Sequence, residues 1–391
     1  MKFYRISVII ICQFTLSAQG QINSLFQSQI AGQRNVVTTA VPFLLPAPDA
    51  CGGALGEAGV ASVADPFSMH YNPSKFAFIN KDIGFSFSYT PWLRALVNDI
   101  HFLYWSGFIR LKNNQTLGMS YRYFSLGEIV FTSITGTVTG KFHPYEFAAD
   151  AAYAVKINEN LSGAISMRYI YSNLFGNIYL AQGGVLTHPG KSVAADLSVY
   201  YRRNILLSDL NCIFATGLNI SNIGSKISYD NSGERNFIPV NMRLGPSLSV
   251  ELDRYNSIML LLDFNKLLVP TPNPNDTNNE WMKKPLIDGM AGSFTDAPGG
   301  IREEINEINV SAGTEYLYNK MLAFRAGLFY EHENKGARQF FTAGMGFRYK
   351  FFGVDFAYLI PFEQNHPLEN TVRFSVLFEF ETKKKAVPGG T

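Results

Sequence analysis

The chain has 391 residues, of which 14% are aromatic and only 16% charged, with 33 basic against 31 acidic side chains. So little charge is poor for the surface of soluble domains, and so many rings suit a membrane interface. A near-neutral chain lacks the basic face that a nucleic-acid partner demands. After residue 20, every strongly apolar stretch is broken by a charge, a proline or a polar cluster before it reaches the length of a membrane-spanning helix.

Residues 1–20 read as a secretory signal: Lys2 and Arg5 precede an apolar core from Ile6 to Leu16, and Ala18-Gln19-Gly20 offers a small-x-small cleavage site. Cys12 lies inside that core without the small residues of a lipoprotein box. Residues 21–82 do not alternate between apolar and polar. They hold Pro42, Pro46, Pro48, Pro66 and Pro73 and the run Gly52-Gly53-Ala54-Leu55-Gly56-Glu57-Ala58-Gly59. This stretch is too long and too apolar for a free tail, and its small residues permit close backbone packing. It is therefore expected as an N-terminal periplasmic segment and a hatch in the lumen of a barrel, with Gly313, Gly327, Gly344 and Gly346 of the wall leaving it room.

From Ile83 to Glu381, stretches of about ten residues alternate apolar and polar side chains, which is the signature of an all-β, 14-stranded antiparallel transmembrane β-barrel. In 340–350, Phe341, Ala343, Met345, Phe347 and Tyr349 share one face, while Thr342, Gly344, Gly346, Arg348 and Lys350 share the other. The strands are predicted at 83–90, 98–110, 116–128, 143–156, 161–172, 192–203, 211–221, 238–251, 256–267, 306–318, 321–331, 339–350, 352–360 and 371–381, followed by a C-terminal tail at 382–391. Short linkers become periplasmic turns; 129–142, 173–191, 222–237 and 268–305 become external loops. Residues 129–139 are rich in Ile, Val, Phe and Thr and are expected to form a tall hairpin.

The lumen-facing set includes Asp99, His101, Arg122, Asp150, Arg168, Asp196, Arg243, Asp263, Arg325, Asp355 and Arg373. Its mixed signs favour charge pairs that brace the lumen or its plug over a selective pore. Tyr89, Trp105, Tyr171, Tyr318 and Tyr349 fit aromatic girdles.

Few residues suggest chemistry. The glycine run lacks the buried strand that precedes a dinucleotide fingerprint, and the six histidines form no pair at ligand spacing, so no metal is expected. No Gly-x-Ser-x-Gly elbow supports a lipid hydrolase, and the protein is expected not to be an enzyme. Cys51 and Cys212 read as isolated small apolar residues, and spacing does not say whether they meet. The loop from Leu268 to Ile305 is too long for a passive connection. It places Trp281, Met282, Leu286, Ile287, Met290 and Phe294 among turn formers, which suits either a lid folded over the mouth or a surface that a partner buries.

Five stretches stand out as motifs: Pro42-Phe43-Leu44-Leu45 through Pro48-Asp49-Ala50, Gly53-Ala54-Leu55-Gly56-Glu57-Ala58-Gly59, His70-Tyr71-Asn72-Pro73, Lys266-Leu267-Leu268-Val269-Pro270 and Ser293-Phe294-Thr295-Asp296-Ala297-Pro298-Gly299-Gly300. Together they resemble the PorV (LptO) family, fourteen-stranded barrels of the type IX secretion system of Bacteroidetes that are themselves similar to FadL-type transporters. Two positions depart from it: Cys51 stands where the family usually has Arg, and Tyr71 where it often has Trp. The resemblance implies an outer-membrane adaptor that docks beside a SprA/Sov-like translocon barrel, receives the C-terminal domains of secreted cargo and passes the cargo to a PorU-like attachment complex. Outer-membrane lipid surrounds it, and no cofactor, metal or nucleic acid is implied. It further implies partner binding by Trp281, Met282, Phe294, Asp296, Ala297, Pro298, Gly299 and Gly300, and a hatch held by Pro42, Asp49, Gly53, Gly56, Gly59, Asn72 and Pro73. A transporter of hydrophobic small molecules, FadL-like, is the competing expectation.

Overall fold

The computed structural model describes residues 35–381, apart from 95, 96, 98, 113, 133, 134, 136, 177, 178, 181–184, 232, 274, 275, 277 and 364–366. The expected signal peptide, the first residues of the hatch segment and the C-terminal tail lie outside the described residues.

Fourteen strands close a barrel: β1 (Ile83–Pro91), β2 (Ile100–Lys112), β3 (Gln115–Leu126), β4 (Tyr145–Lys156), β5 (Leu161–Asn173), β6 (Gly190–Leu207), β7 (Leu210–Gly224), β8 (Asn241–Glu251), β9 (Asn256–Leu267), β10 (Asn309–Tyr318), β11 (Leu322–Tyr330), β12 (Gln339–Tyr349), β13 (Phe352–Pro361) and β14 (Val372–Phe380). Each pairs antiparallel with its neighbours in sequence, and β1 closes on β14 with Phe85 opposite Phe378 and Tyr89 opposite Phe374. Closure removes the unpaired edge that hydrocarbon does not tolerate. Side chains alternate as the sequence implies. On β12, Phe341, Met345, Phe347 and Tyr349 are exposed on the lipid face while Thr342 is buried inside.

Two lumen assignments are corrected. His101 shares the outward face of β2 with Trp105 and Ile109, because Phe102, Tyr104 and Phe108 are the buried set. Asp99 precedes β2 at the rim, where its Oδ2 accepts the Glu128 N–H at 2.7 Å. The ends of β6 and β7 are also corrected. The polar Asn204 looks like a linker, yet the chain reverses at Ser208 and Asp209, whose φ of 48° and 68° form the left-handed pair that a two-residue hairpin turn needs. The two strands consequently run past the expected ends at 203 and 211. Asn319 and Lys320 make the same kind of turn, with φ of 52° and 55°.

The hatch occupies the lumen. It comprises a 3₁₀ turn at Pro42–Leu44, α1 (Ala50–Ala54), α2 (Ser68–Tyr71) and a second 3₁₀ turn at Pro73–Phe78. Its apolar side chains meet the inner wall in local clusters: Met69 and Phe76 pack with Phe108, Ala152 and Ala154, and Leu55 and Ala58 pack with Met259 and Leu261. By the rule that barrels carry long loops outside and short turns in the periplasm, the external end bears a hairpin pairing Ile129–Thr132 with Val138–Phe142. It also bears the segment between β9 and β10, which folds into α3 (Glu280–Lys283), α4 (Leu286–Gly292) and α5 (Ile301–Asn306).

Candidate functional site: a sealed lumen under a charged lid

The hatch is fixed mainly by its own backbone. Asp49 caps α1, its Oδ2 accepting the Gly52 N–H at 2.7 Å while its Oδ1 accepts the Tyr71 hydroxyl at 2.8 Å. The Tyr71 ring is clamped between Gly52 and Gly59; a Cβ on either would fall 2.4 Å or 2.5 Å from it. Gly56 takes a φ of 68° and lies so near the wall that an added Cβ would sit 2.4 Å from the Leu328 carbonyl oxygen. From the wall side, a Cβ on Gly327 would sit 2.1 Å from Gly56 N. Gly313 and Gly344 likewise give way to the hatch, whereas Gly346 makes space for Arg325 and Asp355 of the wall, correcting the expectation that it faces the hatch.

Polar groups finish the seal. Thr342 donates to the Ala54 carbonyl at 2.9 Å and accepts from Gly56 N at 3.0 Å. Buried Asp263 accepts the Gly59 and Val60 N–H groups at 2.7 and 2.9 Å. Asn72 donates to the Val60 and Val199 carbonyls and, through Oδ1, caps the turn that Pro73 opens. Gly53 lies against Arg373, which donates to Glu57 at 2.8 Å. The mixed signs of the lumen resolve into such pairs: Arg168 meets Asp150 and Asp196, and Arg325 meets Glu315 and Asp355. Cys51, on α1, and Cys212, on β7, are both free thiols.

The external segment is held by two different devices. Leu286 and Met290, one turn apart on α4, pack on Phe237, Val240, Leu268 and Val269. Lys226 donates to the Met282 and Lys284 carbonyls at 2.6 and 2.7 Å, which leaves Trp281 and Met282 half-buried. Ile287 and Phe294 point to solvent. α5 is held by charge. Lys266 at the end of β9 meets Glu304 at 3.0 Å and Glu307 at 2.7 Å. Lys335, from the loop between β11 and β12, meets Glu307 at 2.9 Å and also Glu303. Thr271 donates to Glu307 at 2.7 Å, and Asn35 to Glu303 at 2.9 Å. All four charges of this Lys266–Glu304–Glu307–Lys335 set are buried.

The Asp-Ala-Pro-Gly-Gly motif turns inward to this network. Ala297 is buried by its own chain, and its N–H donates to Glu304 at 2.8 Å; Gly299 N donates to Glu303 at 2.6 Å; Gly300 takes a φ of 68° as it opens α5. Asp296 accepts from Thr271 N at 3.3 Å, and burial pushes its carboxyl above the usual aspartate range despite Lys284 beside it. Burial is the strongest single influence on Glu303 and raises it, but the bonds and charge of Lys335 together with the bonds from Gly299 N and Asn35 outweigh it and hold that carboxyl below the ordinary glutamate value. Of the residues expected to meet a partner, Phe294, Gly299 and Gly300 are exposed, Trp281, Met282, Asp296 and Pro298 half-exposed, and Ala297 is closed off. The reading of the sequence missed Glu303, Glu304, Glu307, Lys266 and Lys335. A signal existed: in Ile301-Arg302-Glu303-Glu304-Ile305-Asn306-Glu307, helical spacing puts Glu303, Glu304 and Glu307 on one side and Ile301 with Ile305 on another.

Against the first part of the hatch lies a cavity of about 480 Å³. Pro42, Phe43, Leu45, Trp92, Phe102 and Phe124 give it apolar walls, and Glu307, Glu331, Lys335 and Arg338 a charged rim. The rim charges are already matched, since Arg338 grips Glu331 at 2.8 and 3.0 Å and Lys335 is bound to Glu307.

A closed fourteen-strand barrel whose own N-terminal segment lies in the lumen defines a hatch-bearing outer-membrane barrel. Its fold is similar to that of the Pseudomonas putida toluene transporter TodX, at 12% identity over 90% of this chain and 100% of that one, with a TM-score of 0.52. A TodX mutant described as a monoaromatic hydrocarbon channel matches at 13% identity over 86% of this chain and 100% of that one, with a TM-score of 0.51. At such identities the likeness is one of fold. No curated protein matches the sequence. The family of the type IX secretion system protein PorV matches residues 29–274, well over half of the sequence, and the chain belongs to that family. It is thus an outer-membrane component of the type IX secretion system.

Proposed function

We infer that the barrel is an adaptor of the secretion system, receiving exported cargo from the translocon barrel and passing it to the cell-surface attachment complex. The observation that carries this reading is the inverted polarity of α5. Its glutamates are spent on buried lysines, while Ile301 and Ile305, four residues apart, are 75% and 60% exposed. An exposed helix of a soluble surface would place these faces the other way round, so the arrangement favours a partner that buries the isoleucines. Phe294 and Ile287, also exposed, extend the apolar surface. The hatch in the lumen supports the same reading, because a segment seated backbone to backbone against the wall does not make way for a protein chain. The test is recovery of cargo and of secretion-system components with the intact barrel in mild detergent. Ile301→Asp/Ile305→Asp is expected to lower both while the barrel still inserts, and unchanged recovery contradicts the role.

The cavity favours a second reading, passage of apolar small molecules. Its volume is within the range of ligand pockets, and with its rim charges paired it would select a neutral, apolar occupant. Liposomes containing the purified barrel would take up a labelled aromatic hydrocarbon under this reading, and uptake equal to that of empty liposomes rejects it.

A further inference from the structure

The lipid-facing rim is uneven. Near the external ends of β1–β5, the outward residues Tyr89, His101, Tyr123, Tyr145 and Tyr171 follow one another across neighbouring strands, with successive ring centroids 6.3, 6.4, 5.8 and 5.9 Å apart. One pleat lower, Phe147 packs against Tyr121, Tyr169 and Tyr171 at 5.8, 6.2 and 5.1 Å. Lys191 of β6 pairs in register with Tyr171 and holds its Nζ 6.0 Å from that ring's centre. Lys191 is exposed, and no carboxylate among the described residues forms an ion pair with it. Across β7–β9 the registered residues differ: Ile220 and Met242 pack against the cluster that holds α4, and Lys266, in register with Met242, is engaged by Glu304 and Glu307.

An interfacial girdle needs only scattered amphipathic rings. A continuous row of phenols, closed at one end by an exposed ammonium and containing an imidazole, offers more: aromatic faces on which the C–H face of a sugar ring packs, hydroxyls to bond it, and a cation for an anionic group. By the rule that aromatic girdles mark the interfaces of a barrel, the row meets the lipid headgroups, with an apolar wall beneath it for acyl chains. A glycerophospholipid has an anion but no ring to stack, and a protein partner reached from outside the cell would meet the loops above. We propose that this face binds the phosphorylated glycolipid of the outer leaflet, its sugar lying over Tyr123, Tyr145 and Tyr171 and its phosphate at Lys191 Nζ.

The test is native mass spectrometry of the full-length barrel in dodecyl maltoside, titrated with bisphosphorylated lipid A or with phosphatidylglycerol. Wild-type protein should prefer lipid A about tenfold, Tyr145→Leu/Tyr171→Leu should lose the preference, and Lys191→Gln should weaken lipid A binding about threefold. Heat-modifiable migration on gels checks that each variant is folded. Should the double variant not fold, Lys191→Gln decides by itself, since the position is an exposed one. Equal binding of both lipids by wild-type protein, undiminished lipid A binding by the folded variants, or loss of a co-purifying protein in place of lipid each overturns the proposal.

Discussion

The hatch and the external segment are both fastened to the barrel, but they are attached in different ways. The hatch approaches the wall backbone to backbone, at Gly327 against Gly56 and at Gly56 against Leu328, with Thr342 bonding to its backbone and Asp263 accepting its N–H groups. Such contacts have no intermediate state, since a close-packed contact is either seated or lost. α5 of the lid is held by the ends of long side chains, Lys266 and Lys335, which can let go of one carboxylate and take another. The hatch is thereby suited to a permanent seal and the lid to a part that moves when a partner arrives.

Substitutions sharpen this contrast. The largest effect is expected from Gly327→Val, where the new side chain meets hatch backbone that cannot yield. A loss of about 3 kcal/mol or more should unseat the hatch, lower the melting temperature and raise single-channel conductance in a planar bilayer. If conductance stays at the wild-type level, the hatch is not held where the glycines indicate. Next comes Lys266→Ala, which leaves Glu304 buried without its partner and should cost about 3 kcal/mol, confined to the lid. Hydrogen exchange over 280–306 should accelerate while that of the strands does not change. Acceleration spread through the barrel would mean that lid and wall are one unit.

Acid should separate the regions further. Lys335 depresses the Glu303 carboxyl in the folded state, so its contribution to lid stability is complete above the ordinary glutamate value of 4.5 and is lost as pH falls through the lower, folded value. Asp296, raised by burial, acts with the opposite sign and relaxes as it protonates. Loosening of the lid, followed by the fluorescence of half-buried Trp281, is therefore expected only below about pH 4.5, and loosening near neutrality would remove Glu303 from the anchor. The smallest effect on stability is expected from Ile301→Ser/Ile305→Ser, within about 0.5 kcal/mol by thermal unfolding, because both side chains are largely exposed. A larger loss would show that the isoleucines support the lid itself.

The barrel was legible because period-two alternation between lipid and a lumen repeats over fourteen strands, and a one-residue slip would invert every side chain. His101 was misread because a polar ring looked out of place facing lipid, although Trp105 and Ile109 on the same face fix its direction. The turn at Ser208 and Asp209 was hidden by the earlier polar cluster at Asn204. In the lid, apolar residues drew attention and Leu286 with Met290 indeed face inward. The stronger anchor was invisible because charges are assumed to seek water, and only the fold brings Lys266 and Lys335 to the same glutamates. The motif Asp296-Ala297-Pro298-Gly299-Gly300 was noticed as a pattern, but its work is to deliver N–H groups to Glu303 and Glu304.

The most direct test of the adaptor role is quantitative affinity recovery of cargo and secretion-system components with the intact barrel, comparing wild type, Ile301→Asp/Ile305→Asp and Gly327→Val. The account predicts that the isoleucine variant loses its partners while its lumen stays closed to ions, and that Gly327→Val leaks while its outer apolar face remains in place. Full partner recovery with the isoleucine variant, alongside a normal melting temperature, would contradict it.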